Sequence, residues 1–502
     1  MDQYTSLLAH YEKSARRILL IVAFFLVPIS QSMNPQIVKD ADIWWHLRAG
    51  QWIVEHGTVP QNDPFSVYGQ GRPWVAYSWL FELLIYGLYR LFGMAGPIIY
   101  TVTLWLAIAT LLLAYLRRQV PKLVNAVALA GLGLLAMQMA MPRPWLFTIL
   151  FFIAELGILL NFRQTGNPRQ LLFLPPIFAL WANIHIQFIY GLFVIALVSA
   201  EPLLDRMLGR SPTLNSQAVK RLCITLAACL LATLVNPYHL KVYLAVYEIV
   251  SQTTPFRYIV ELQSPDFHNP WSWFILLVTV GAVFALGWRR EGAPLPILLL
   301  LAGILLAFRA QRDMWFLSIV AVAIIASGRS AGGVKREKIL IRVEALAIAV
   351  VIVMTLFLMS RVKHLSAIEL EQLVSQNFPE AAVRVVEKKG YCGPLYNHFN
   401  WGGYLMWRLH RLPVAMDGRT NLHGEERLAR SVATWSGGRQ WVSDPELASA
   451  QLVVASHDQP LTSLLRLDHR FELVYEDQVA AVFIARPQLS IADRQGGQVM
   501  ER

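Results

Sequence analysis

The sequence predicts an α-helical polytopic membrane protein, with about 11–13 transmembrane helices and a small α/β domain at its C-terminal end. Three observations lead there. Of 502 residues, 55% are hydrophobic and only 15% charged, where a soluble domain carries about a quarter charged. The apolar residues gather in blocks of roughly 16 to 22, long enough to cross a hydrocarbon layer of about 30 Å as helices. The cations sit in short loops between the blocks, as topology determinants do. A soluble protein with buried core helices would not need so many such blocks.

The first block, 18–33, follows Lys13, Arg16 and Arg17 and lacks a small-residue cleavage site. It reads as a retained signal-anchor helix. Further membrane helices are expected at 95–116, 123–141, 144–161, 170–184, 188–203, 220–235, 270–288, 293–308, 312–328 and 339–359. Segment 76–92 is apolar but carries Glu82 and Arg90, so it is an interfacial helix or one more crossing.

Charge decides between those options. If 76–92 does not span, five basic loops share the cytoplasmic side with the N-terminus. These are Arg117-Arg118/Lys122, Arg163/Arg169, Arg206/Arg210/Lys220/Arg221, Arg289-Arg290 and Arg329/Lys335/Arg336/Lys338. The segment is therefore read as juxtamembrane, with the N-terminus cytoplasmic and the C-terminal domain extracytoplasmic. On this reading residues 1–360 form the membrane domain and 34–75 its first extracytoplasmic loop. Residues 361–489 form the α/β domain and 490–502 a frayed polar tail.

Within the tail domain, helices are expected at about 365–376 and 402–409. Strands are expected at Ala381–Val386, Pro413–Met416, Leu452–Ala455, Phe471–Tyr475 and Ala480–Ala485. Three cysteines, Cys223, Cys229 and Cys392, form no disulfide framework or metal-type cluster. The net charge of +11 is spread through loops, with no basic run interleaved with aromatics. Nucleic-acid binding is rejected.

The polar and aromatic clusters fall on the side opposite the basic loops. They are Asp40-Ala-Asp42-Ile-Trp44-Trp45-His46, Arg143-Pro-Trp145, Asn183-Ile-His185, Asn236-Pro-Tyr238-His239 and Arg309-Ala-Gln-Arg312-Asp313. Carboxylates just past a membrane helix, followed at once by two tryptophans and a histidine, are poorly explained by anchoring alone. Trp44 and Trp45 suit an aromatic belt, and Trp45 equally suits a platform under a sugar ring. His46 reads as a structural cap or as a ligand to the same site. Asp63-Pro-Phe-Ser66 reads as a helix cap or turn, with Asp63 retained among the substrate-binding candidates. Gly71-Arg-Pro-Trp74 reads as a turn that seats Trp74.

Each arginine has a plainer role as a snorkelling cation at the headgroups. Glu155 lies inside a membrane block and is read as an interhelical hydrogen-bonding or interface group. The paired glycines of Asn397–Tyr404 read first as a point of close backbone packing.

The first loop, with Asp-x-Trp-Trp-His-Leu-Arg-x-Gly, then Gly-x-Val-Pro-x-x-Asp-Pro-Phe-Ser and a Pro-Trp, resembles membrane proteins of the GT-C glycosyltransferase superfamily, nearest the RgtA/B/C/D-like group. The segment Asn397-His-Phe-Asn-Trp-Gly-Gly-Tyr-Leu with Asp417-Gly-Arg419 resembles the C-terminal part of the same group, and Arg143-Pro with Asn183-Ile-His185 its middle.

The resemblance implies a polyprenyl-phosphate-linked sugar donor and an essential acid in the first outer loop. Asp42 is the matching position and Asp40 the next; many relatives carry Asp-Glu where this chain has Asp42-Ile43. The implied activity is a hexosyl- or pentosyltransferase of the cell envelope, acting on a glycan, lipid or protein acceptor. Such transfer needs a base on the acceptor hydroxyl and cations or donors around the leaving phosphate. Arg143, Arg309 and Arg312 are candidates for the latter, with His185, Asn236 and His239 beside them. No cofactor is fixed by the sequence; a divalent cation on Asp40 and Asp42 stays an option. The rival readings are a lipid-linked sugar transporter or flippase and a non-catalytic assembly relative.

Overall fold

The computed structural model describes residues 2–33, 35–138, 140–290, 292–327 and 367–486. Two compact units divide the chain. One comprises Met1–Ile37, Tyr77–Tyr247 and Pro255–Ala367; the other comprises Val38–Ala76, Glu248–Thr254 and Ile368–Arg502. The helix expected at 339–359, the loop of Arg329, Lys335, Arg336 and Lys338, and the tail 490–502 lie outside the described residues.

The first unit is helical. Among the described residues five helices are long and apolar enough to cross a membrane: Glu12–Lys39, Ala95–Gln119, Trp145–Thr165, Phe188–Met207 and Ser272–Arg289. Leu123–Met137 and Pro294–Arg309 are apolar but shorter. The chain is a multi-pass membrane protein. Ala95–Gln119 packs on the N-terminal helix, on Trp79–Phe92 and on Trp145–Thr165. Met314–Ser327, buried on nearly every side, packs on Leu123–Met137, Ser272–Arg289 and Pro294–Arg309.

Several boundaries differ from expectation for local reasons. The first helix starts at Asp2, well before the apolar block. The block at 170–184 splits into a 3-10 turn, Pro168–Phe173, and a helix, Leu174–Ile184. Pro175 and Pro176 sit in that helix's first turn, where a missing N–H costs nothing. Trp79–Phe92 has 14 residues, a rise of about 21 Å. That is short of the about 30 Å of a bilayer core. A helix at Lys241–Ser251 was not foreseen.

Glu201 pairs with Arg163 through two bonds of 2.5 and 2.7 Å. Of the two readings of Glu155, a hydrogen bond between helices or an interface position, the first is not met among the described residues. The Glu155 carboxylate is fully buried beside Gly191 and has no hydrogen-bond partner among the described residues.

The second unit joins the first loop to the tail, so residues 38–76 belong with the α/β fold and not with the membrane helices, contrary to the division at 360. Its sheet has four strands in the order β1-β2-β4-β3: β1 Leu395–Asn397, β2 Leu452–Ser456, β3 Phe471–Glu476 and β4 Ala480–Ala485. β1 runs parallel to β2, and β4 antiparallel to β2 and β3. Leu452, Val453, Val454 and Ala455 are all fully buried. Alternate strand residues face opposite sides, so both faces of the sheet are covered. Trp435, Leu461, Leu465, Phe471 and Phe483 form its core with Tyr396 and Val453.

Two expected strands are corrected. Ala381–Val386 lies in a helix, Glu380–Lys389, which buries Ala382, Val383 and Val386. Glu380 opens it, Lys388 and Lys389 close it, and Gly390 ends it in the left-handed conformation; the charges suit the helix dipole. Pro413–Met416 is no strand of the sheet. Val414 bridges the first loop instead, donating to Phe65 O at 3.1 Å and accepting from Val67 N at 3.0 Å.

Candidate functional site: the acid loop and the tail turn

In the second unit, Asp42 occupies the residue before the helix Ile43–His56 but does not cap it with its side chain. Its backbone N–H donates to Asp40 Oδ1 at 3.0 Å. Asp40 is buried and Asp42 half-buried. The Asp42 carboxylate lies against Gly418, where a Cβ would stand 2.1 Å from Oδ1 and 3.3 Å from Trp45 Nε1. Gly403 packs against the other end of the segment; a Cβ there would stand 2.9 Å from Ala41 O and 3.1 Å from Trp45 N. A Cβ on Gly402 would stand 1.9 Å from Met416 O. The paired glycines are thus a close packing point, as their sequence suggested.

The tryptophans are neither a belt nor an open platform. Trp44 is buried edge-on against Phe378 and Tyr404, at 5.5 and 5.0 Å between ring centres. Trp45 is buried and lies 3.5 Å from the His46 ring, and His46 is buried as well.

Asp63, expected at the substrate, is fully engaged within the protein. It accepts from Phe65 N, Ser66 N, Ser66 Oγ and Arg419 Nη1, at 3.1, 3.0, 2.5 and 2.6 Å. Gly69 leaves the room for it. Trp74 is seated under the Arg419 guanidinium at 4.6 Å.

The residues that hold this arrangement were only partly visible in the sequence. Arg419 forks onto Asp417 through Nε at 2.8 Å and Nη2 at 2.7 Å. His423 Nε2 lies 3.2 Å from the same carboxylate. Arg427 contacts His423 Nδ1 at 2.6 Å and pairs with Glu446. Burial by itself would raise the Asp417 carboxyl, but the charge of Arg419, then His423 and their hydrogen bonds, hold it well below the usual carboxylate range. Asp417 and Asp63 in turn hold Arg419 protonated against its own desolvation. Asn397 fixes the strand-like stretch that leads into this turn, accepting from Ala415 N at 2.9 Å and donating to Met416 O at 2.8 Å.

In the first unit a second polar cluster gathers at helix ends. Asp313 accepts from Gln187 at 2.7 Å and Tyr190 at 3.0 Å. Arg312 faces Glu261 at 3.7 Å, and Arg309 lies over the Phe256 ring at 4.5 Å, its side chain exposed. His185 is buried and bonds Thr148 Oγ1 at 2.8 Å, close enough to Arg312 to feel its charge. Gln187, Tyr190 and Glu261 were not foreseen.

The remaining expected residues make contacts of their own. The Arg143 guanidinium lies 5.4 Å from the Trp145 ring, and its carbonyl accepts from Tyr100. Asn236 shapes its own turn, accepting from Tyr238 N at 2.7 Å. His239 is exposed in the left-handed region with φ 50°. Asn183 accepts from Trp79 and donates to Val235 O.

Two crystal structures of ArnT from Cupriavidus metallidurans, one bound to undecaprenyl phosphate and one in the apo state, are similar to this chain. Identity is 14% and the TM-score 0.48 in both cases, over 94% and 93% of this chain and 98% and 99% of theirs. No family model and no curated protein matches the sequence. Among the described residues no three His, Cys, Asp or Glu side chains lie together to hold a metal ion.

Proposed function

We propose that this chain is a GT-C-type glycosyltransferase, moving a sugar from a polyprenyl-phosphate donor to an envelope acceptor on the extracytoplasmic face of a bacterial inner membrane. The carrying observation is Asp42: a half-buried carboxylate in the matching loop motif, turned away from helix capping and set against a glycine. In the reaction Asp42 takes the proton of the acceptor hydroxyl. That oxygen forms a bond to the sugar's anomeric carbon, and the bond from that carbon to the phosphate oxygen breaks with inversion. The phosphate leaves with its charge and needs cations, not an acid. Arg309 and Arg312, loosely held, are assigned to it by their chemistry.

The test is the envelope glycan profile of cells carrying Asp42→Asn, beside wild type and a deletion at matched protein level. Loss of the same sugar as in the deletion supports the reading and names the sugar. A wild-type profile for Asp42→Asn refutes it. One observation favours the transporter reading instead, namely the buried, unpartnered Glu155 in a membrane helix. If Glu155→Gln abolishes the sugar while Asp42→Asn does not, that reading replaces the transferase.

A further inference from the structure

We propose that the turn Asp417-Gly418-Arg419 in the tail is a positioning element for Asp42, so that the tail sets the reacting carboxylate. This rests on the transferase reading above. Asp417 and Arg419, on either side of Gly418, are locked: Arg419 is tied to Asp63 and Asp417 by bonds of 2.6 to 2.9 Å, its backbone N–H included. His423 grips Asp417 from the other side. Gly402 fits against Met416 O and Asp417 Cα, which fixes the approach to the turn.

Gly418 does not adopt a backbone conformation reserved for glycine; it is required for space. With the backbone of the turn held, a methyl on Gly418 meets first the Asp42 carboxylate, a flexible group that can swing aside. The substitution therefore moves the carboxylate at little cost to folding. Gly403, against Ala41 O and Trp45 N, closes the same segment from the opposite end. An acid set by a rigid turn holds its distance to a bound hydroxyl, and a displacement of about 1 Å can cost on the order of a hundredfold in rate.

The experiment uses purified full-length protein added to envelopes of the deletion strain, which supply both the lipid-linked donor and the unmodified acceptor. Transfer is read by mass spectrometry of the acceptor across pH. For Gly418→Ala the expected result is a rate at least about tenfold lower, with an unchanged Tm. The acid limb of the pH–rate profile should move, because the carboxylate sits in a new setting, while the donor level for half-maximal rate stays put. Arg419→Lys, which keeps the charge but not the fork, should retain an intermediate rate with the acid limb displaced in the same direction.

A wild-type rate and acid limb in Gly418→Ala overturn the proposal while leaving the transferase reading intact. A lowered rate that tracks a lowered Tm, with the wild-type limb in what remains, also overturns it. Full transfer by Asp42→Asn removes the transferase reading, and the positioning role with it.

Discussion

Arg419 in the second unit and the pair Arg309 and Arg312 in the first are held in opposite ways. In the second unit Arg419 is buried between Asp63 and Asp417, with its bonds to their carboxylates at 2.9 Å or less. In the first unit Arg312 stands 3.7 Å from Glu261, and Arg309 is exposed over a phenylalanine ring. A short forked pair fixes geometry, while a loosely held cation keeps its donors for a ligand. The contrast separates the cations that build this protein from those assigned to bind.

Breaking the first kind should cost stability. Arg419→Met leaves Asp63 and Asp417 buried without their cation and should destabilise the protein by about 3–5 kcal/mol, read by denaturant unfolding of the solubilised full chain. A loss below about 1 kcal/mol, the size of a surface pair, would erase the contrast. Gly402→Ala drives a methyl into Met416 O and should cost about 1–3 kcal/mol as overpacking. If it behaves as wild type, the turn is looser than its contacts indicate.

The second kind should respond in binding and not in folding. Arg312→Gln should raise the donor level for half-maximal transfer about tenfold, some 1.4 kcal/mol, with an unchanged Tm. A fall in Tm of the size seen for Arg419→Met would place Arg312 among the structural cations. The pair Arg466–Glu476, partly exposed on the second unit, marks the small end of the scale. Arg466→Ala should change stability by less than about 1 kcal/mol.

Acid sharpens the comparison within the second unit. Asp417 lies below the usual carboxylate range when folded, so its contribution is complete above its unfolded pKa of about 4 and is lost only as pH falls through the lower folded value. His398 behaves differently, pushed down to about 4 by burial. Between about pH 6.5 and 4 the folded state binds fewer protons there than the unfolded chain, so stability falls as the pH drops. His398→Asn should flatten the decline of Tm over that interval. An unchanged slope would mean that another group controls it.

The parts legible in the sequence were those written locally. Apolar block length gave the membrane helices, the Gly402-Gly403 pair announced close packing, and Gly71-Arg-Pro-Trp74 announced the seat of Trp74. The acids of the first loop stood out because carboxylates and aromatics crowd the end of a membrane helix.

What the sequence hid was long-range. Asp63 and Arg419 meet across 356 positions, and no local pattern tells a turn-capping aspartate from one that also holds a distant arginine. Trp44 and Trp45 looked like surface aromatics because their neighbours, Phe378, Tyr404 and Gly418, lie in the far tail. The Ala/Val-rich stretch 381–386 read as a strand although its helix signals, Glu380 at one end and Lys388-Lys389-Gly390 at the other, were present.

The span of 356 positions between Asp63 and Arg419 also sets an order of events during synthesis. At about 5–20 residues per second, the ribosome needs on the order of 20 to 70 s to travel from one to the other. Through that interval the loop bearing Asp42 already exists, while the turn that completes its setting does not. A chain cut short before residue 419 would carry the acid loop without its clasp. Completion of the tail thereby acts as a timer on the whole molecule, separating a finished protein from a fragment that has only begun.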